Sequence, residues 1–263
     1  MIVLKLKGGL GNQMFQYAHG RSLEFSGKKV VFDISFFENN KAKHDVARDF
    51  KLCNFNIDKK VKFVNKKNVF FDFVNKIKRI LGFNVEEYFQ SEKYFRNIED
   101  VVRKEFTLKN EMSESASKFE QEILHNRNSV SLHIRRGDYV SDIKTNDYHG
   151  VCDLNYYERA IKYLKEKIGE IKIFVFSDDI SWVKENLKLD NLFFVSSEDI
   201  KDYEELILMS KCQHNIIANS SFSWWGAWLN ENKDKIVIAP KKWFNNNQVN
   251  NKSDIVPKDW IRL

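Results

Sequence analysis

The chain has 263 residues, 43% hydrophobic and 14% aromatic, with a formal charge of +6 and a pI near 9.0. Such a chain can bury a core in one large domain or two ordinary ones, which excludes disorder throughout. Its three cysteines, Cys53, Cys152 and Cys212, lie far apart, which argues against a disulfide framework or structural zinc and fits a reducing compartment.

The positive charge is spread along the chain and reads first as solvated faces. Anionic substrates or an anionic membrane surface come second and nucleic acid last, so no nucleic-acid partner is expected. Met1–Leu6 is too short for a signal peptide, and no run of about 18 apolar residues exists to span a bilayer.

Ile2–Leu6 reads as a buried strand, Gly8-Gly9-Leu10-Gly11-Asn12-Gln13 as a turn, Met14 to Phe25 as a helix, and Lys28–Asp33 as a second strand. This approaches the dinucleotide fingerprint, with Gly9 and Gly11 in place and Asp33 about 20 residues on. Met14 stands where the third glycine belongs, which counts against an ordinary NAD site. The loop suits either of two readings. One is an anion site, with backbone N–H groups at a helix N-terminus and donors from Asn12 and Gln13. The other is a plain tight turn. Phe70–Leu81 reads as a basic amphipathic helix with a core-facing stripe, Tyr88–Phe95 as an aromatic-rich loop or strand, and Glu111–Leu124 as a polar helix.

Ser129-Val-Ser-Leu-His-Ile-Arg-Arg-Gly-Asp138 follows. Alternation makes Val130, Leu132 and Ile134 one strand face and puts His133 and Arg135 on the other. Arg136, Gly137 and Asp138 read as the turn that leaves it. Beyond it, helices at 155–168, 179–187, 199–211 and 221–229 alternate with strands at 172–177, 191–195, 215–219 and 235–239. Ser220 and Ser221 read as N-cap residues. That pattern predicts a parallel sheet. Asn245–Asn251 reads as a polar loop, and the tail to Leu263 as a short anchor.

Three strand ends carry polar clusters: Arg135-Arg136, Ser177-Asp178-Asp179 and Asn219-Ser220-Ser221. In a parallel sheet they share one edge, where ligands of open α/β sheets bind. Arginine grips phosphate through a rigid fork of donors, small hydroxyls at a helix N-terminus add more, and carboxylates suit a ribose diol or a base N–H. Together they describe a nucleoside-diphosphate site. The alternatives are arginines paired with carboxylates and ordinary helix capping. No P-loop, D-x-D pair or zinc-like histidine spacing is present, so no metal is expected.

Four segments then carry a resemblance: Gly8–Ala18, His133-Ile-Arg-Arg-Gly-Asp138, Phe176-Ser-Asp-Asp179 and Asn219-Ser-Ser-Phe-Ser-Trp-Trp-Gly226. The chain resembles the α-1,2-fucosyltransferases of glycosyltransferase family 11 over nearly its full length. The resemblance implies an α/β fold of the GT-B-like kind, two Rossmann-like domains facing across a cleft. Residues 1–126 would form the acceptor side and 127–263 the nucleotide-sugar side. It implies GDP-β-L-fucose as donor, no cofactor or metal, and an oligosaccharide or glycolipid acceptor. Transfer would invert the anomeric carbon and give an α-1,2 linkage, commonly to galactose. The place of action would be the cytoplasm, with peripheral association at the inner membrane. Arg135 and Arg136 would grip the pyrophosphate. Ser220, Ser221 and Phe222 would close over the phosphates and sugar, with Asn219 before them. Ser177 and Asp178 would lie near the nucleoside, and Gly9, Leu10, Gly11 and Asn12 would reach from the first domain. Asp138 and His133 are the candidates for general base by position, and a loose, cation-like transition state would need no strong base at all. Alternation makes Arg135 the residue aimed at the leaving phosphate and Arg136 an aid to donor binding. The rival readings are an NAD-dependent oxidoreductase and a non-catalytic nucleotide- or sugar-binding module.

Overall fold

The computed structural model describes residues 1–39, 48–65, 88–137, 140, 147–148, 150–189 and 191–263. The helix expected over 70–81 and the candidate base Asp138 lie outside them.

In the first unit, strand β1 (Ile2–Lys5) leads through the glycine turn into helix α1 (Leu10–Phe25). The helix begins four residues before Met14, because the Gly9 carbonyl already accepts the N–H groups of Asn12 and Gln13 at 3.0 and 3.1 Å. Strand β2 (Val30–Asp33), helix α2 (Ser35–Asn39), strand β3 (Phe63–Val64) and helix α3 (Glu99–Glu105) follow. The strands pair in parallel in the order β1-β2-β3. Tyr17 of α1 packs on Phe32 and Phe106, with ring centroids 5.3 and 5.6 Å apart. Gly20 permits this closeness, since a Cβ there would lie 2.4 Å from the Phe32 ring. Arg21, beside Tyr17, is buried with Glu105 of α3 as its ion-pair partner at 2.7 Å.

The chain divides into compact units at Lys109/Asn110, earlier than 126/127. Helix α4 (Glu114–Leu124) belongs to the second unit because its Ala116 and Ile123 enter a core with Phe174, Phe176, Leu208 and Met209. Strand β4 (Ser129–Ile134), helix α5 (Leu154–Ile168), strand β5 (Lys172–Ser177), helix α6 (Ile180–Asn186) and strand β6 (Leu192–Phe194) come next. Helix α7 (Asp202–Lys211), strand β7 (His214–Ile216), helix α8 (Ser221–Leu229), strand β8 (Val237–Ala239), helix α9 (Asn247–Lys252) and strand β9 (Ile261–Arg262) complete it. The six strands run in the order β6-β5-β4-β7-β8-β9, every neighbouring pair parallel. Both units thus have the parallel α/β construction of a Rossmann-like domain.

Alternation along β5 serves two cores. Ile173 and Val175 pack with Val130, Leu132, Ile134 and the apolar face of α5, while Phe174 and Phe176 point to the α4 and α7 side. Both faces of β4 are covered, so even Ser131 and His133 are buried. Trp224 and Trp225 are fully buried in α8, and Gly226 lets that helix approach α7, since a Cβ there would lie 2.8 Å from Met209 Cβ. Two endings differ from expectation. Asn247–Lys252 is helical rather than a loop, and Asn250 Oδ1 accepts the Trp243 N–H at 2.7 Å. The tail adds β9 to the sheet instead of only anchoring on it.

Candidate active site

Strands β4 and β5 keep register to their ends, with Ile134 opposite Ser177. The residues that follow therefore come side by side. Arg135 Nη1 meets Asp178 Oδ2 at 3.0 Å, and Arg136 Nε meets Asp179 Oδ2 at 3.3 Å. Asp178 also accepts the backbone N–H of Arg136 on Oδ1 at 2.9 Å. With both oxygens engaged, Asp178 braces the turn after β4. A Cβ at Gly137 would fall 2.3 Å from Asp178 Oδ2, so only glycine leaves room for that carboxylate.

Carboxylate pairing was one of the two readings for the arginines, and it is present. It does not use up the donors of Arg136. Arg136 lies over Trp182, its guanidinium carbon 3.6 Å from the ring centroid. Among the described residues neither Nη atom of Arg136 has a hydrogen-bond partner. Each arginine side chain is about one-fifth exposed, 21% for Arg135 and 18% for Arg136. Arg136 can thus still offer N–H groups to an anion.

Ser177 serves the local turn. Its N–H donates to Ser196 Oγ at 2.9 Å, and its Oγ accepts from Asp179 N at 3.0 Å. Asn219 is buried, and its amide donates to the carbonyls of Gly150 and Trp243 at 3.2 and 3.3 Å, which ties two loops to the end of β7. Ser220 is the N-cap of α8, its Oγ accepting from Phe222 N at 3.3 Å. Ser221 and Phe222 open the first turn of that helix. Phe222 returns to β4, with its ring 5.5 Å from the His133 ring. His133 is 3% exposed, and its Nδ1 has no partner among the described residues. Burial, and then the neighbouring Arg135, push its pKa down to about 3. It is a neutral imidazole near pH 7, and a weak base.

The glycine turn belongs to the first unit. Gly8 has φ +80°, and a Cβ there would meet Asn12 Nδ2 at 2.9 Å. Gly9 caps α1, and Leu10 and Gly11 are buried. Asn12 Oδ1 accepts from Gln90 Nε2 at 2.7 Å. Gln13 is fully buried. Its amide donates to the carbonyls of Gly8 and Asp49 at 3.1 and 2.9 Å and accepts from Lys51 N at 3.0 Å. It is a loop clasp, which for Gln13 agrees with the tight-turn reading rather than the anion-site reading.

Among the described residues no cluster of three or more His, Cys, Asp and Glu side chains could hold a metal ion. Nor is any helix among them long and apolar enough to cross a membrane. Trp182 was not expected at the site. Its only sequence signal is its place three residues after the N-cap Asp179, on the helix that leaves the neighbouring strand.

The family model for glycosyl transferase family 11 matches residues 1–263. The chain belongs to glycosyltransferase family 11. It is 35% identical to the O-antigen biosynthesis glycosyltransferase WbnK of Escherichia coli, over 98% of this chain and 99% of that one. It is 36% identical to an α-1,2-colitosyltransferase of the same organism, over 100% and 99%. Galactoside 2-α-L-fucosyltransferase Sec1 of Mus musculus is 24% identical over 87% of this chain and 64% of its own length. Family membership settles the enzyme class as a glycosyltransferase and removes the dehydrogenase reading. Met14, at the fingerprint's third glycine position, is a fully buried core residue.

Proposed function

We propose that this family 11 enzyme transfers L-fucose from GDP-β-L-fucose to the 2-OH of a terminal β-galactoside, with inversion to an α-1,2 linkage and without a metal. The observation that carries the reading is the unmatched Nη end of Arg136 after β4, on the sheet edge that also carries the capped N-terminus of α8 after the neighbouring parallel strand β7. Those donors suit the diphosphate of a nucleotide sugar.

In this reading the acceptor oxygen attacks the anomeric carbon from the face opposite the phosphate. The bond from that carbon to the phosphate oxygen breaks, and GDP leaves with the bonding pair. Preorganised N–H groups meet the charge that grows on the leaving oxygen. The acceptor proton needs a base. His133 is neutral and weakly basic by burial, so we assign that role to Asp138, the other candidate in the sequence. A cytoplasmic location with peripheral membrane association remains part of the proposal.

A second reading is favoured by the full-length similarity to the α-1,2-colitosyltransferase: colitose takes the place of fucose. One experiment addresses both. The protein is incubated with GDP-fucose or nucleotide-linked colitose and a panel of galactosides, with and without EDTA, and products are read by mass spectrometry and anomeric NMR. Fucosylated α-1,2 product with EDTA present is expected. Turnover with colitose alone selects the second reading, and rescue by Mg²⁺ or Mn²⁺ after an EDTA block rejects the metal-free step.

A further inference from the structure

Strand alternation aims Arg135 at the ligand, but the count of donors points to Arg136. Arg135 Nη1 is engaged by Asp178, and that carboxylate is fixed by the turn it braces. Arg136 is held from its root and from one face. Asp179 caps α6 by accepting the Trp182 N–H on Oδ1 at 3.1 Å, and it takes Arg136 Nε on Oδ2 at 3.3 Å. The cap thereby places the Trp182 backbone and the Arg136 side chain against one carboxylate. The Trp182 indole, at 3.6 Å, then supports the guanidinium plane. A guanidinium over an indole gains from the ring quadrupole, and more so when partly desolvated. A long side chain with one end fixed loses less rotamer freedom when its other end binds.

We propose that Asp179 and Trp182 are positioning residues that hold Arg136 with its Nη end toward the diphosphate. This rests on the proposed nucleotide-sugar reading. Neither residue touches the reacting atoms. Each acts through the arginine, so its effect should vanish when the arginine is gone.

Two substitutions separate positioning from simple stability. Asp179→Asn keeps a good N-cap side chain but removes the charge that holds Nε. Trp182→Leu keeps apolar volume but removes the π face, and Trp182→Phe restores a face. GDP affinity is measured by calorimetry, donor KM and kcat by steady-state kinetics, and stability by urea unfolding, on the full chain. Trp182→Leu should weaken GDP binding roughly 3- to 30-fold, the span of a cation–π contact from exposed to desolvated. Trp182→Phe should recover most of that loss. Asp179→Asn should raise donor KM with its unfolding midpoint nearly unchanged. In an Arg136→Ala background, Trp182→Leu should have no further effect on GDP affinity. Equal effects of Trp182→Leu with and without Arg136 would overturn the proposal, and so would loss of stability with GDP affinity intact. If the unaltered protein neither binds GDP nor turns over a nucleotide sugar, the nucleotide-sugar reading is what fails.

Discussion

Arg21 lies inside the first unit and Arg136 at the sheet edge of the second, and their surroundings differ in kind. Arg21 directs its donors at three carboxylates: Nε and Nη2 at Glu105, Nη1 at Glu24, and Nη2 also at Asp58. Tyr17 completes the set by donating to Glu105 Oε2 at 2.7 Å, and burial pushes the Tyr17 pKa up, with Glu105 adding to the effect. Arg136 has one N–H matched, one face supported and its tip unmatched among the described residues. A buried guanidinium with a carboxylate at each of its three nitrogens fixes architecture. One held at the root and unmatched at the tip keeps donors for the ligand that the proposed nucleotide-sugar reading requires. The residue type is the same, and what separates the roles is which donors remain.

The largest expected effect comes from breaking the buried set. Arg21→Met would leave the Glu105 carboxylate, 6% exposed, without its cation. Removing one partner of a buried pair costs about 3–5 kcal/mol. Urea unfolding at pH 7 should show that loss with an unchanged m-value, while transfer per folded molecule stays within about twofold of the parent. A loss below about 1 kcal/mol, the range of exposed pairs, would mean the architectural role is misassigned.

At the sheet edge the balance should reverse. Arg136→Lys keeps a charge but loses the planar fork, and losing one preorganised donor costs roughly 10²-fold in transfer rate. Stability should move by less than about 0.5 kcal/mol, as at a partly exposed site. Arg135→Lys should cost transfer less than Arg136→Lys does, because Arg135 already has a carboxylate on Nη1. Steady-state kinetics on the two variants decide between the donor count and the strand alternation, which favours Arg135.

Much of this scaffold was legible from periodicity. The alternation of β4, the caps Asp179 and Ser220, and the meeting of polar clusters at one sheet edge are local signals, and the parallel sheet follows from their order. What stayed hidden depends on partners far away in sequence. Gln13 reads as a ligand donor until the loop of Asp49 and Lys51 is seen to use its whole amide. Trp182 carries no site signal until Arg136, in the turn after β4, is seen to lie over it. The 109/110 division was missed because α4 precedes β4 in the chain, yet its apolar face packs with β5 and α7.

Two glycines sharpen the same contrast at a smaller scale. Gly20→Ala would set a Cβ 2.4 Å from the Phe32 ring, inside the first core. Overpacking of that kind costs about 1–3 kcal/mol, and the loss should show as a lower midpoint in urea. Gly137→Ala would place its Cβ 2.3 Å from Asp178 Oδ2 at a partly exposed edge. The carboxylate must move, and the contacts to Arg135 and to the Arg136 N–H move with it. Transfer should therefore fall more, relative to stability, than in Gly20→Ala. Equal loss of stability in the two variants, with transfer per folded molecule unchanged in Gly137→Ala, would show that this turn does not set up the site.

The last contrast concerns His133, which sits between the apolar interior and the charged edge. Its folded pKa, about 3, lies below the ordinary value of 6.5, because burial and then Arg135 disfavour the imidazolium. Between those two values the unfolded chain binds a proton that the native state does not. Stability must then rise with pH across the window and be lost as pH falls from about 6.5 toward 3. One such proton gives a slope of at most about 1.4 kcal/mol per pH unit. His133→Asn removes the titration, so its plot of unfolding free energy against pH should be flatter by up to that amount between pH 4 and 6. Part of the slope should survive, since His19 and His214 are also shifted down by burial. An identical slope in parent and variant would mean that His133 gains a proton in the native state as readily as in the unfolded one. It would then be open to solvent and basic enough to compete for the acceptor proton.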